Sequence, residues 1–184
     1  MKEPFNGILL GGHAHHGFEW SEQLRDYFFF ITVRHPYTRV YSLWRYFCNR
    51  RLLILSKSQE EYFFFDWFNE NFSDRDPTLD EFLCHPDIEE TFKTVWRCSW
   101  HLEQLPASVD GVVVRQERYD ADLRKVPHFK GRAWDRLNSR ADKWPPWHEV
   151  MTDEHCEKVQ ELWGEDFERF RYNRKRKAVI VLNK

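Results

Sequence analysis

The sequence has no apolar run approaching the ~20 residues that span a membrane, so no transmembrane helix is expected. Its start, Met1-Lys2-Glu3-Pro4-Phe5-Asn6-Gly7, has no apolar h-region of the kind a secretory signal carries. Cys48, Cys84, Cys98 and Cys156 form no C-x-x-C pair, which argues against a zinc knuckle or a thioredoxin-type site. Their spacing fits either buried thiols or two disulfides. A net charge of −2 supplies no global field to attract nucleic acid, so any anion site must be local. A G-x-x-x-x-G-K-[ST] loop is also missing, which argues against the common P-loop phosphotransferases. No internal repeat or low-complexity stretch occurs.

What the chain does have is aromatic bulk. Its 184 residues suffice for one domain with a substantial core. Aromatics make up 17 % and hydrophobic residues 41 %, which argues against disorder and for a core of large rings. Basic residues gather in Arg169-Phe170-Arg171-Tyr172-Asn173-Arg174-Lys175-Arg176-Lys177, which reads most simply as the approach to a solvated basic tail over about 174–184.

Ile8-Leu9-Leu10 is a short apolar run that reads as a brief strand or loop, followed by Gly11-Gly12 and the cluster His13-Ala14-His15-His16. Tyr27 to Val33 is continuously apolar, which predicts a strand covered on both faces. Pro36 suits a first helical turn, and Val40, Leu43, Trp44 and Phe47 follow as an apolar stripe. Thr78 and Glu81 spell a capping box ahead of Phe82 and Leu83. A helix is expected around 89–102, a second buried strand over Gly111–Arg115, and a helical turn from Asp120 to Val126. Residues 127–148 carry prolines, Gly131 and many charges and read as a long loop. Thr152-Asp153-Glu154 opens a last helix with the stripe Val159, Leu162, Trp163, Phe167 and Phe170. Alternating strands and helices predict a single α/β domain over 1–184, a parallel sheet flanked by helices. In such folds ligands bind beyond the carboxyl ends of strands, where Arg34 falls.

A strand-to-helix turn offers outward backbone N–H groups and the positive end of a helix dipole. Arg34 adds a permanently charged fork suited to phosphate. Ser42 lies about two turns into the helix, away from the apolar stripe. It shares a face with Arg39, three residues earlier. The plainer alternatives are an ion-paired arginine closing the strand and an ordinary helix-surface serine. For Arg115 and Glu117 the plainer reading is a structural ion pair.

The segment Phe30-Ile31-Thr32-Val33-Arg34-His35-Pro36-Tyr37-Thr38-Arg39-Val40-Tyr41-Ser42 resembles the 3′-phosphate-binding segment of the sulfotransferases that use 3′-phosphoadenosine-5′-phosphosulfate (PAPS). Thr78 to Leu83 is similar to the helix that commonly follows there. Val114 to Leu123 resembles the family's strand ending in R-x-E with its acidic D-L turn. Leu137-Asn138-Ser139 resembles its L-N-x-S loop, and Asp166 to Tyr172 its closing D-F-x-x-F-x-Y. The likeness is greatest to the carbohydrate sulfotransferase branch and its bacterial relatives. It implies a P-loop-NTPase-like sulfotransferase fold and sulfuryl transfer from PAPS to a hydroxyl, expected on a carbohydrate. Arg34 and Ser42 would hold the 3′-phosphate, and His13, with His15 and His16 beside it, would be the base. The chemistry requires no metal. A catalytically degenerate nucleotide- or glycan-binding module of the same fold is the alternative. The family's P-K-x-G-[ST]-[ST] loop, which cradles the 5′-phosphosulfate, has no counterpart in Lys2 to Gly7. That departure suggests an N-terminally truncated fold, a degenerate relative, or a substitute basic loop at Lys130-Gly131-Arg132 and Ser139-Arg140. The resemblance fits a cytoplasmic bacterial or viral enzyme as well as a truncated Golgi one.

Overall fold

A computed structural model describes residues 28–55, 70–72, 74–86, 97–103, 106, 111–126 and 144–175. The histidines at 13, 15 and 16, the run at 8–10, the basic loop at 130–140 and Leu137-Asn138-Ser139 lie outside the described residues.

Phe29–Val33 forms β1 and Gly111–Arg115 forms β2. They pair in parallel, with Phe29 opposite Gly111 and Val33 opposite Arg115. Glycine suits position 111 because a Cβ there would stand 3.1 Å from the Phe29 carbonyl oxygen. Alternation sends Ile31, Val33 and Val113 to one face, against Cys98 and Phe170. Phe30, Val112 and Val114 go to the other, against Leu123 and Val126. Both faces are thus covered, as the continuous apolar run predicts. Coverage is uneven: Val33 and Val114 are fully buried, whereas Thr32 is exposed. The mixed α/β character is therefore seen, on a small sheet whose described part has two strands.

The described helices are α1 (Pro36–Leu55), α2 (Leu79–Cys84), α3 (Cys98–Glu103), α4 (Tyr119–Leu123), α5 (Trp147–Val150) and α6 (Asp153–Arg169). A 3₁₀ turn over Gln116–Arg118 leads into α4. Val40, Trp44 and Phe47 of α1 are buried with Phe82 and Leu83 of α2 and Val159, Leu162, Trp163 and Phe167 of α6. Aromatic rings fill this core in tilted and edge-on pairs, such as Tyr37 on Phe167 at 5.2 Å and Trp44 on Trp144 at 5.2 Å. Buried polar tips find carbonyls: the Trp44 indole N–H donates to Pro77 at 2.9 Å and the Tyr41 hydroxyl to Pro145 at 2.6 Å.

The capping box at Thr78 and Glu81 forms as the sequence predicts. At the start of α6 the box closes differently. His155, not an acid, takes the third position, and its Nδ1 accepts the Thr152 N–H at 3.0 Å. The segment expected to be loop over 127–148 contains the start of α5 instead. Trp147 is driven into the core beside Tyr37, and Pro146 serves as the N-cap. All four cysteines are thiols, so the two-disulfide alternative does not apply. No helix among the described residues is long and apolar enough to cross a membrane.

The chain leaves α6 through a Schellman-type turn. Tyr172 N–H donates to the Phe167 carbonyl at 2.8 Å and Arg171 N–H to that of Glu168 at 3.2 Å. Arg171 takes φ 54°, a conformation that costs a non-glycine residue about 1–2 kcal/mol. This reversal directs Asn173 and Arg174 back across the start of α1. There the Asn173 carbonyl meets His35 Nε2 at 2.9 Å, and the Arg174 carbonyl accepts from the Tyr37 hydroxyl. The start of the supposed solvated tail is therefore anchored through residue 174: its side chains are exposed but its backbone is docked.

Candidate anion site

Parallel pairing brings the carboxyl ends of β1 and β2 side by side, so Arg34 and the segment Arg115 to Glu117 share one edge. Arg34 follows β1 directly and is partly buried. Its Nε donates to Thr38 Oγ1 at 3.1 Å, and that hydroxyl in turn donates to the His35 carbonyl at 2.9 Å. The guanidinium is thus held at one corner. Its two terminal nitrogens have no hydrogen-bond or ion-pair partner among the described residues. The plain alternative, an ion-paired arginine closing the strand, is not what these residues form.

Ser42 lies one helical turn beyond Thr38 on the same face of α1. Its hydroxyl makes no side-chain hydrogen bond among the described residues. Arg39 takes another path, with its guanidinium over the Trp163 ring at 5.8 Å. Burial pulls the Arg34 pKa below the ordinary arginine value, and the positive charges of Arg39 and Arg45 add to that pull; Glu117 opposes it. Three guanidiniums thus sense one another beside a single carboxylate. Such a cluster is stabilised by a bound anion.

That carboxylate is already engaged. Glu117 Oε1 accepts the His35 backbone N–H at 2.7 Å, and Oε2 accepts the Tyr172 hydroxyl at 3.2 Å. Arg115 does not pair with it. The Arg115 guanidinium donates to the Phe170 carbonyl at 3.1 Å and sits 3.9 Å from Asp122. The expected ion pair between Arg115 and Glu117 is therefore absent. The 3₁₀ turn after β2 swings Glu117 to the β1–α1 turn and leaves Arg115 facing the end of α6. Buried Asp122 would be raised by burial alone. The Lys125 ammonium at 2.6 Å and the Arg115 backbone N–H outweigh this and hold its carboxyl below the usual range.

His35 fixes the turn from within. Its ring is buried among Tyr37, Phe167 and Tyr172. Nδ1 accepts the Tyr37 N–H at 3.3 Å, so Nε2 carries the proton that bonds to the Asn173 carbonyl. Burial lowers the His35 pKa, against a raising contribution from that carbonyl. The unfolded chain takes up this proton first, near pH 6.5. Stability from neutral His35 is therefore present above that value and is lost as pH falls towards the lower folded value. In NMR titration the His35 ring is expected as the Nε2–H tautomer, with its midpoint below about 6.5. An Nδ1–H tautomer, or a midpoint at or above the free-histidine value, would refute this account of the turn.

The closing D-F-x-x-F-x-Y residues also support the edge. Asp166 is buried and accepts the Cys98 and Ser99 N–H groups at 2.8 Å each, capping α3. Phe167 and Phe170 fill the core, and Tyr172 reaches Glu117. Burial, followed by the charge on Glu117, drives the Tyr172 phenol well above its ordinary value, so it remains a donor. Sequence reading alone missed the bracing by Glu117, His35 and Tyr172. It also missed Arg45, whose guanidinium lies over the Tyr41 and Trp144 rings at 5.4 and 5.5 Å. A basic residue three positions after Ser42 was the available signal. Among the described residues no group of three metal-ligating side chains forms.

In comparisons with known proteins, no family model, no curated protein and no solved structure matches this chain.

Proposed function

We propose that this chain binds PAPS through Arg34 and Ser42 at its 3′-phosphate and transfers the sulfuryl group to a hydroxyl, on a carbohydrate acceptor. The observation that carries the reading is the state of Arg34: partly buried, held at Nε by Thr38, with its terminal nitrogens unpartnered among the described residues. A guanidinium in that condition is prepared for a bidentate oxyanion. The likeness of residues 30–42 to the sulfotransferase segment names the anion, and the α/β core is compatible with a P-loop-NTPase-like sulfotransferase fold. In the reaction the acceptor O–H gives its proton to a base, for which His13 is proposed, as its oxygen attacks sulfur in line. The S–O bond to the phosphate breaks and 3′,5′-adenosine diphosphate leaves.

The product nucleotide is the simplest probe. At a hundredfold excess over Kd it should raise unfolding free energy by about 2.7 kcal/mol, read by denaturant titration. Unchanged stability at millimolar nucleotide would count against the reading. If the nucleotide binds but labelled sulfur never passes from PAPS to any glycan, the degenerate binding module is the better description.

A further inference from the structure

We propose that Arg45 is the third ligand of the phosphate held by Arg34 and Ser42, and that it makes the site select a phosphate dianion over a monoanionic phosphodiester. The inference rests on the reading of Arg34 and Ser42 just given and names the charge state that their site prefers. Its starting point is helix geometry. Thr38, Ser42 and Arg45 occupy positions i, i+4 and i+7 of α1 and so share one face. Side chains on a helix lean towards its N-terminus. Arg45 does so: its guanidinium lies over Tyr41, one turn back, which brings it to the level of Ser42. Arg34 approaches the same face from the other side, bonded to Thr38. The Ser42 hydroxyl is therefore bracketed along the helix by two guanidiniums.

The aromatic neighbours fix how Arg45 can act. Tyr41 and Trp144 stand within cation–π range of it at 5.4 and 5.5 Å. Contacts of this kind engage the flat face of a guanidinium. Its hydrogen-bonding atoms lie in the plane, so an oxyanion meets it edge-on. The rings also restrict rotamers, reducing the entropy lost when the anion binds. A phosphomonoester carries a second negative charge above its pKa near 6. Two arginines and a hydroxyl can satisfy its three terminal oxygens, whereas a diester offers two oxygens and one charge.

Calorimetric titration of the full chain tests this with 3′,5′-adenosine diphosphate and the analogue whose 3′-phosphate is a methyl diester. Wild type should prefer the first, with affinity rising between about pH 5 and 7 as the 3′-phosphate loses its second proton. Arg45→Gln should weaken the diphosphate about tenfold or more, leave the diester nearly unchanged, and flatten the pH dependence. Arg45→Lys should recover part of the preference, because it restores charge without the planar fork. If Arg45→Gln lowers apo stability but weakens both nucleotides equally, its role is packing against Trp144 and the proposal is overturned. If Gln and wild type discriminate alike, it is likewise overturned, while the Arg34 reading survives. If wild type binds neither nucleotide, the Arg34 reading itself fails and takes this proposal with it.

Discussion

Arg34→Ala is expected to weaken 3′,5′-adenosine diphosphate binding by about a hundredfold or more while the domain stays folded. The loss has two parts. A bidentate guanidinium–phosphate contact is built of two charge-assisted hydrogen bonds, each worth ~1.5–3 kcal/mol when partly desolvated. Removing Arg34 also removes the group nearest the strand end, where the start of α1 contributes its dipole. Stability should change little. Thr38 keeps its bond to the His35 carbonyl, and relief of repulsion from Arg39 and Arg45 offsets the lost Arg34–Thr38 bond. Arg34→Lys should fall between wild type and alanine, because an ammonium restores charge but not the fork. Calorimetry on the three proteins checks the order. An alanine variant that binds within about threefold of wild type, a difference of under 1 kcal/mol, would remove Arg34 from the site.

Asp166→Ala should cost about 3–5 kcal/mol of unfolding free energy, the largest single loss of stability predicted for this chain. The buried carboxylate caps α3 through the Cys98 and Ser99 N–H groups, and alanine would leave both donors orphaned beside a cavity. The effect reaches the anion site through packing. Cys98 lies under Val33 and Phe170, the residues that support the end of β1, and the Arg34 backbone N–H bonds to its thiol. That thiol is raised in pKa chiefly by burial and is inert packing. Asp166→Asn keeps one acceptor and should lose roughly half as much. Urea denaturation measures both. A loss for alanine below about 1 kcal/mol would mean that solvent or another group satisfies α3.

The parts of this fold that were legible in the sequence are those whose signals are local. The apolar run to Val33, the proline at 36, the Thr78 and Glu81 box and the stripe from Val159 to Phe167 each predict an element from a few neighbouring residues, and each element forms. Arg34 and Ser42 were legible as a pair because the helix between them fixes their relation. Contacts between distant segments were not legible. Glu117 reaches His35 across 82 positions, and Asn173 reaches it across 138. Nothing in either segment's own pattern announces its partner. The basic run after Arg169 misled for a related reason. Composition describes its exposed side chains, whereas its docking is done by the carbonyls of Asn173 and Arg174, which composition does not register. Arg115 and Glu117 were read as an ion pair from proximity in sequence. The turn at Gln116–Arg118 separates them and gives each a more distant partner.

The central claim is that the β1–α1 turn holds a nucleotide by its 3′-phosphate. Calorimetric titration of the wild-type chain with 3′,5′-adenosine diphosphate and with adenosine 5′-monophosphate tests it most directly, because the two ligands differ only in that group. The account predicts that the diphosphate binds at least about tenfold tighter, a difference of ~1.4 kcal/mol. Equal affinities, or no binding of either, would contradict it.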